Sequence, residues 1–197
     1  METARLETFS DGIFAIAATL LILDVRPEGA GSLTTQLLHA WPSYLGYAIS
    51  FLTIGIMWVN HRAVFRQIDK VDRTFLTLNV LALMVIAFIP YPTRVLAAHL
   101  HHDATAAAVF YGLTNVAMAI TYSSVWFYAV RNRRLIAATA DPREVSGISR
   151  SFRPGIPLYA AATASAFLSP WLAVALYGSL ALFYLVESSL FGEHRTT

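Results

Sequence analysis

The chain has 197 residues, of which 56% are hydrophobic and only 13% charged, with a net charge of +2 at neutral pH. A soluble domain carries about 25% charged residues, so this chain has too little polar surface to cover one. It has no cysteine, which excludes a disulfide framework and any thiolate metal site, and its near-neutral balance gives no support to nucleic-acid binding.

The composition points to an all-α integral membrane protein. Apolar stretches fall roughly at residues 8–25, 41–60, 74–98, 104–130, 155–169 and 171–191. A helix needs about 20 residues to cross the hydrocarbon core. The second, third, fourth and sixth stretches reach that length. The first is slightly short and carries Ser10, Asp11 and Thr19, and the fifth is short unless it begins near Ser151. The first stretch follows acidic Glu2 and Glu7, and no small-residue cleavage site comes after it, so it reads as a retained helix. Gly29 and Gly31 mark the first loop. Pro90 and Pro92 are placed to kink or end the third helix, and Asp103 to cap the fourth. Asp141-Pro142 breaks the segment after it, and Ser169-Pro170 makes a tight link between the last two helices. No internal repeat divides the chain, so residues 1–197 read as one domain.

The basic residues give the orientation. With the N-terminus in the cytoplasm and strict alternation, the inside segments hold Arg5, then Arg62, Arg66, Lys70 and Arg73, then Arg131, Arg133, Arg134, Arg143, Arg150 and Arg153, and finally Arg195. These are twelve of the fourteen basic residues, leaving Arg26 and Arg94 outside. Positive loops stay in the cytoplasm, so the expectation is six transmembrane helices with both termini cytoplasmic. Trp41, Tyr44, Tyr91, Trp126 and Trp171 lie near helix ends, where either an interfacial aromatic belt or ordinary burial accounts for them.

Two features set the first helix apart. Asp11 sits inside an apolar run, where a charge is expensive and marks a functional or structural network by default. The alternative is a helix start capped by Thr8 or Ser10, with Asp11 favouring its positive end. The second feature is spacing: Ile16, Leu20 and Leu23 share one face, Thr19 flanks it, and Gly12, Ala15 and Ala18 offer a small-residue surface. On periodicity alone, such an aliphatic stripe is core or lipid-facing more often than pore-lining.

The segment Phe9-Ser10-Asp11, followed by Ala15-Ile16-Ala17-Ala18-Thr19-Leu20-Leu21-Ile22-Leu23, resembles the signature of the transmembrane protein 175 family, the endolysosomal potassium channels and their bacterial relatives. Trp58-Val59-Asn60-His61 with Phe65 is similar to that family's second-helix W-x-x-H pattern. Leu76 to Leu81 and Phe88-Ile89-Pro90-Tyr91-Pro92-Thr93 are similar to its third helix. The likeness covers about residues 5–95; beyond them only helix count and hydropathy agree.

The resemblance implies a bacterial single-repeat member, a potassium-permeable channel that also admits other monovalent cations and lacks the T-V-G-Y-G filter. It implies a homotetramer in the bacterial plasma (inner) membrane, with the first helix, about residues 5–25, lining a central pore. The narrowest point falls at Ile16, with Leu20 and Leu23 continuing it and Thr19 beside it. Arg5, Ser10 and Asp11 match the family's first-helix polar cluster, beside the motif's Phe9. Asp11 is expected to bond across to other helices, with His61, Trp58 and Asn79 as candidates, a network that would couple gating to protonation of His61; the alternatives are an interfacial anchor for His61 and Trp58 and plain packing for Asn79. The implied partners are other copies of the chain, the lipid bilayer and potassium ions. No cofactor, metal site, catalytic residue or nucleic acid is expected. His99, His101, His102 and Asp103 crowd one outer loop, but no further ligand accompanies them, so a polar loop is the expectation. Three function classes compete. The channel leads, a proton-coupled secondary transporter using Asp11 and His61 follows, and a membrane enzyme or scaffold comes third. An enzyme lacks any phosphate loop, nucleophile elbow or H-E-x-x-H pair.

Overall fold

A computed structural model of the chain describes residues 3–192, with side chains as far as Val186. Glu2 and Arg195 lie outside the described residues. The regular structure among these is helical, apart from one isolated antiparallel bridge between Ile68 and Ile136. In chain order the helices are α1 (Thr3–Leu20, extended by a 3-10 turn over Leu21–Asp24), α2 (Leu33–His39), α3 (Trp41–Arg66), α4 (Arg73–Phe88), α5 (Pro90–His99), α6 (Ala104–Val130), α7 (Pro142–Phe152), α8 (Gly155–Ala164) and α9 (Pro170–Gly192).

Among the described residues four helical runs are long and apolar enough to cross a membrane: Thr3–Asp24, Trp41–Arg66, Arg73–His99 and Ala104–Arg133. At 1.5 Å per residue they span about 33–45 Å, against a hydrocarbon core of about 30 Å. The third run consists of α4 and α5 together. Pro90 and Pro92 have no N–H to offer the carbonyls of Ile86 and Phe88. The N–H of Ile89 turns instead to the Ile86 carbonyl (3.2 Å), and that of Thr93 resumes the ladder at the Ile89 carbonyl (3.1 Å). Ile89 keeps helical angles (φ −50°, ψ −40°), so the prolines divide the helix without ending the crossing.

The long α6 is the centre of the bundle, packed against α4, α5, α8 and α9, while α3 packs against α1, α5 and α9. Trp126, Met118, Phe75, Ile86 and Tyr111 are fully buried among them. At Gly112 the approach is so close that a methyl group would overlap the Tyr177 hydroxyl and the Thr163 side chain. Several hydroxyls inside the apolar helices are satisfied by their own backbone: Thr53 donates to the Ile49 carbonyl (2.8 Å) and Thr163 to that of Tyr159 (2.7 Å).

Several expectations need correction. Because α1 begins at Thr3, neither Thr8 nor Ser10 caps it; each donates to the carbonyl four residues back, at 2.9 and 2.8 Å. Asp11 therefore lies in the third turn, beyond reach of the helix start. Asp103 takes a left-handed conformation (φ 60°) and makes no side-chain cap to α6. Of the two readings of the aromatics near helix ends, burial holds for Trp126, whose indole donates to Ser149 Oγ (2.9 Å), whereas Trp41, Tyr44, Tyr91 and Trp171 are exposed. Two short helices were not foreseen. The loop carrying Gly29 and Gly31 leads into α2, capped by Ser32, and Asp141 caps the amphipathic α7 by accepting from the N–H of Arg143 (2.7 Å). The fifth apolar stretch forms α8 plus a turn over Ser165–Phe167, about 20 Å in all. Its tip carries Phe167 and Leu168, both strongly exposed.

Candidate functional site: the two faces of the first helix

One face of α1 is buried against α3 and α4. It carries Leu6, Ser10, Phe14 and Ala17, with Leu21 following in the 3-10 turn. Ser10 accepts a hydrogen bond from Asn79 Nδ2 on α4 (3.2 Å), and Asn79 Oδ1 accepts one from His61 Nε2 on α3 (3.1 Å). The amide of Asn79 thus ties three helices together with both of its ends. All three residues are buried. The His61 ring stacks on Phe65 (4.2 Å between centroids, 25°) and meets Phe14 edge-on at 5.5 Å. With Nε2 donating, neutral His61 leaves Nδ1 as a bare acceptor, and it has no partner among the described residues.

Asp11 makes a second, separate tie. Its Oδ1 accepts from the Trp58 indole N–H at 2.8 Å, and the guanidinium of Arg62 lies over the same indole, 5.2 Å from its centroid. Asp11 thus meets Trp58 and neither His61 nor Asn79; those two are reached through Ser10. One helix rotation decides this, because adjacent positions on a helix point about 100° apart. Arg5 is exposed and pairs with no described acid, and Phe9 is 57% exposed, so neither joins the polar contacts.

The opposite face is left exposed among the described residues. Ile16 is 60% exposed, Leu20 42% and Leu23 58%. Gly12 and Ala15 are exposed alongside them, and no atom lies within 4 Å of where a Gly12 Cβ would stand. Thr19 is exposed beside the stripe. Its hydroxyl proton is shared between the carbonyls of Ala15 (2.9 Å) and Ile16 (3.0 Å), so its oxygen turns only lone pairs outward. Just beyond, Asp24 pairs with Arg94 on α5 at 3.7 Å.

Elsewhere, a buried hydroxyl cluster had gone unread in the sequence. Ser50 bonds to Thr93 (2.7 Å) and to Tyr111 (3.0 Å), joining α3, α5 and α6. Thr93 closes the F-x-P-x-P-T segment, and that motif was the available signal. Near the loop histidines, His101 packs edge-on to Trp41 (6.0 Å), which stacks on Trp171 (5.7 Å). Among the described residues no group of three His, Asp or Glu side chains gathers as a metal site would require.

Comparison with known proteins gives a consistent result. The family model of the endosomal/lysosomal potassium channel TMEM175 matches residues 5–90. A potassium channel of Streptomyces collinus is 43% identical over 188 residues, covering 93% of this chain and 91% of that protein. A potassium channel of Chamaesiphon minutus is 41% identical over 195 residues, covering 95% and 96%. The crystal structure of a lysosomal potassium-selective channel TMEM175 homolog from Chamaesiphon minutus matches with a TM-score of 0.87 and 38% identity, over 95% of this chain and 98% of that one. These relatives are channels, a non-enzymatic family.

Proposed function

The chain belongs to the TMEM175 family of potassium channels, and from that premise we propose that it is a potassium-permeable cation channel of the bacterial plasma membrane, assembled from four copies around a pore lined by α1. In this reading residues 1–197 form one channel domain of six crossings with both termini in the cytoplasm. The fifth and sixth crossings are α8 and α9. The exposed Phe167 and Leu168 at their link seat it within the membrane, which suits the shortness of α8.

The observation that carries the proposal is the asymmetry of α1. Its polar motif is tied to α3 and α4, while Ile16, Leu20 and Leu23 stay exposed among the described residues. Four such faces brought together make stacked rings of aliphatic side chains. A ring of this kind gates by excluding water rather than by replacing an ion's hydration shell. Permeation then requires the ring to widen enough to wet, and selectivity for potassium over sodium is modest at the ring itself. Thr19 adds a ring of hydroxyl oxygens beside the constriction, able to bind a partly hydrated cation. The ties at Ser10 and Asp11 hold the pore face in register; protonation of His61 would keep its bond to Asn79 and place a new proton on Nδ1, which meets no acceptor among the described residues.

The test is cation flux in proteoliposomes under a potassium gradient, comparing wild type with Ile16→Asn. Potassium flux that rises in the variant, with some loss of selectivity, is expected. Flux unaltered by the substitution would move the gate away from Ile16. No flux in either protein, with assembly intact, would defeat the channel reading and favour a carrier.

A further inference from the structure

The end of the bundle where α3 and α6 finish carries an excess of positive charge that the described acids do not neutralise. Over residues 131–153 there are six arginines and two acids. Of the described acids here, Asp69 is exposed and makes no ion pair, while Asp72, Asp141 and Glu144 are engaged. Asp72 accepts from the Phe75 N–H (2.8 Å) and the Tyr128 hydroxyl (2.7 Å) and lies 3.8 Å from Arg134, while Asp141 caps α7. Glu144 accepts from the Gln67 side chain at 2.8 Å. Arg131, Arg133, Arg143, Arg150 and Arg153 are exposed and pair with no described acid.

The helix α7 is built to present part of that charge. Val145, Ile148 and Phe152 lie on one side and pack against the core, with Phe152 stacked on Trp126 at 6.5 Å. Seven residues apart, Arg143 and Arg150 lie two turns from each other on the opposite side, about 10 Å apart along the axis. Two polar bonds hold the helix in this rotation, Trp126 to Ser149 on one flank and Gln67 to Glu144 on the other. Before α7, the left-handed conformations of Asn132 and Arg133 (φ 56° and 52°) turn the chain sharply at the end of α6, leaving Arg131 and Arg133 exposed at the same end.

We propose that the basic face of α7, together with the Arg131–Arg133 turn, binds the phosphate headgroups of anionic phospholipids. This rests on the orientation given above, which sets this end of the bundle at the cytoplasmic leaflet, where anionic headgroups draw juxtamembrane arginines. Charge complementarity selects the ligand, since several guanidiniums at membrane level, unpaired among the described residues, match phosphodiesters. The bound lipid has a mechanical route to the pore. The segment between the arginine turn and α7 is stitched to the α3–α4 loop by two backbone hydrogen bonds, Asp69 N–H to the Leu135 carbonyl (3.0 Å) and Ala137 N–H to that of Gln67 (2.9 Å). The helices α3 and α4 that this loop joins are the ones that hold Ser10 and Asp11 of α1.

The experiment is native mass spectrometry of the purified protein titrated with phosphatidylglycerol, with phosphatidylcholine as the neutral comparison. Wild type should retain phosphatidylglycerol in preference. Arg143→Gln/Arg150→Gln should lose roughly tenfold to thirtyfold in apparent affinity, at about a kilocalorie per mole for each basic residue near the surface. Arg143→Lys/Arg150→Lys keeps the charge and should retain most of the binding, which separates lost charge from lost folding. Arg26→Gln, at the other end of the bundle, should bind as wild type does. Equal retention of the two lipids, an unaffected double glutamine variant, or an equal loss in Arg26→Gln would overturn the proposal. Displacement of the lipid by inorganic phosphate would overturn it too, by revealing a site for the free anion. Retention is read without any ion flux, so the result stands apart from the success or failure of the channel assay.

Discussion

The bond between Asp11 and Trp58 is the most direct tie between the polar motif of α1 and the rest of the bundle, and its strength can be isolated. Asp11→Ala leaves the indole N–H without its acceptor; Trp58→Phe leaves a half-buried carboxylate without its donor and takes the stacked face from Arg62. A hydrogen bond to a charged group contributes about 1.5–3 kcal/mol net. Both residues are half-buried rather than enclosed, so water screens part of this and the lower part of the range applies, about 1.5–2 kcal/mol. A double-mutant cycle on wild type, both single variants and the double variant, unfolded by sodium dodecyl sulfate and followed by circular dichroism, should give a coupling of that size. The double variant should be little worse than the poorer single variant. Losses that add within about 0.5 kcal/mol would refute the reasoning, because independent sites add to that accuracy. The same variants carry the functional corollary: an Asp11→Ala protein that assembles and conducts normally would remove the tie from any account of the pore.

Three further outcomes follow from the geometry. Thr19→Val keeps the shape of the side chain and removes its oxygen, so the preference for potassium over sodium in proteoliposome flux should fall; unchanged ion ratios would exclude Thr19 from selectivity. Gly112→Ala forces a methyl into the Tyr177 and Thr163 side chains and should cost about 1–3 kcal/mol in detergent unfolding, whereas Gly55→Ala, with no atom within 4 Å, should show no such loss. The carboxyl of Asp72 is held below its ordinary value, first by the Phe75 N–H, then by the Tyr128 hydroxyl and Arg134. Its folded-state value is thus the depressed one. The stability it confers is present above the ordinary value of 3.8 and is lost as pH falls below it. Wild type should exceed Asp72→Asn by a steady margin from neutrality down to about pH 4, and the margin should close in more acid solution. A margin independent of pH would contradict the assignment.

Much of this fold is written in its hydropathy. Long apolar runs must become helices in lipid because nothing else satisfies their backbone, so the stretches beginning near residues 41, 74 and 104 appear close to where they were expected. Features that depend on rotation or on polar segments are harder to read. The apolar run of the first helix opens only at residue 8, whereas α1 begins at Thr3, because its polar first residues form helix without adding to the run. The partner of Asp11 is fixed by which way α1 turns, and a shift of one position gives Asn79 to Ser10 and Trp58 to Asp11. The amphipathic α7 was missed because its pattern lies in the three- to four-residue spacing of Val145, Ile148 and Phe152, and not in length. The burial of Trp126 follows from Ser149 arriving beside it on that unforeseen helix.

In the tetramer proposed above, the way Thr19 spends its proton would bear on the sign of the charge that passes. Its single hydroxyl hydrogen is committed to the carbonyls of Ala15 and Ile16, so the side chain shows the exterior only electron density. Four such threonines around a pore would form a collar of negative electrostatic potential containing no ionised group. Chloride would be turned away there while a cation is drawn in, and this valence discrimination would persist unchanged across any pH at which the protein is folded.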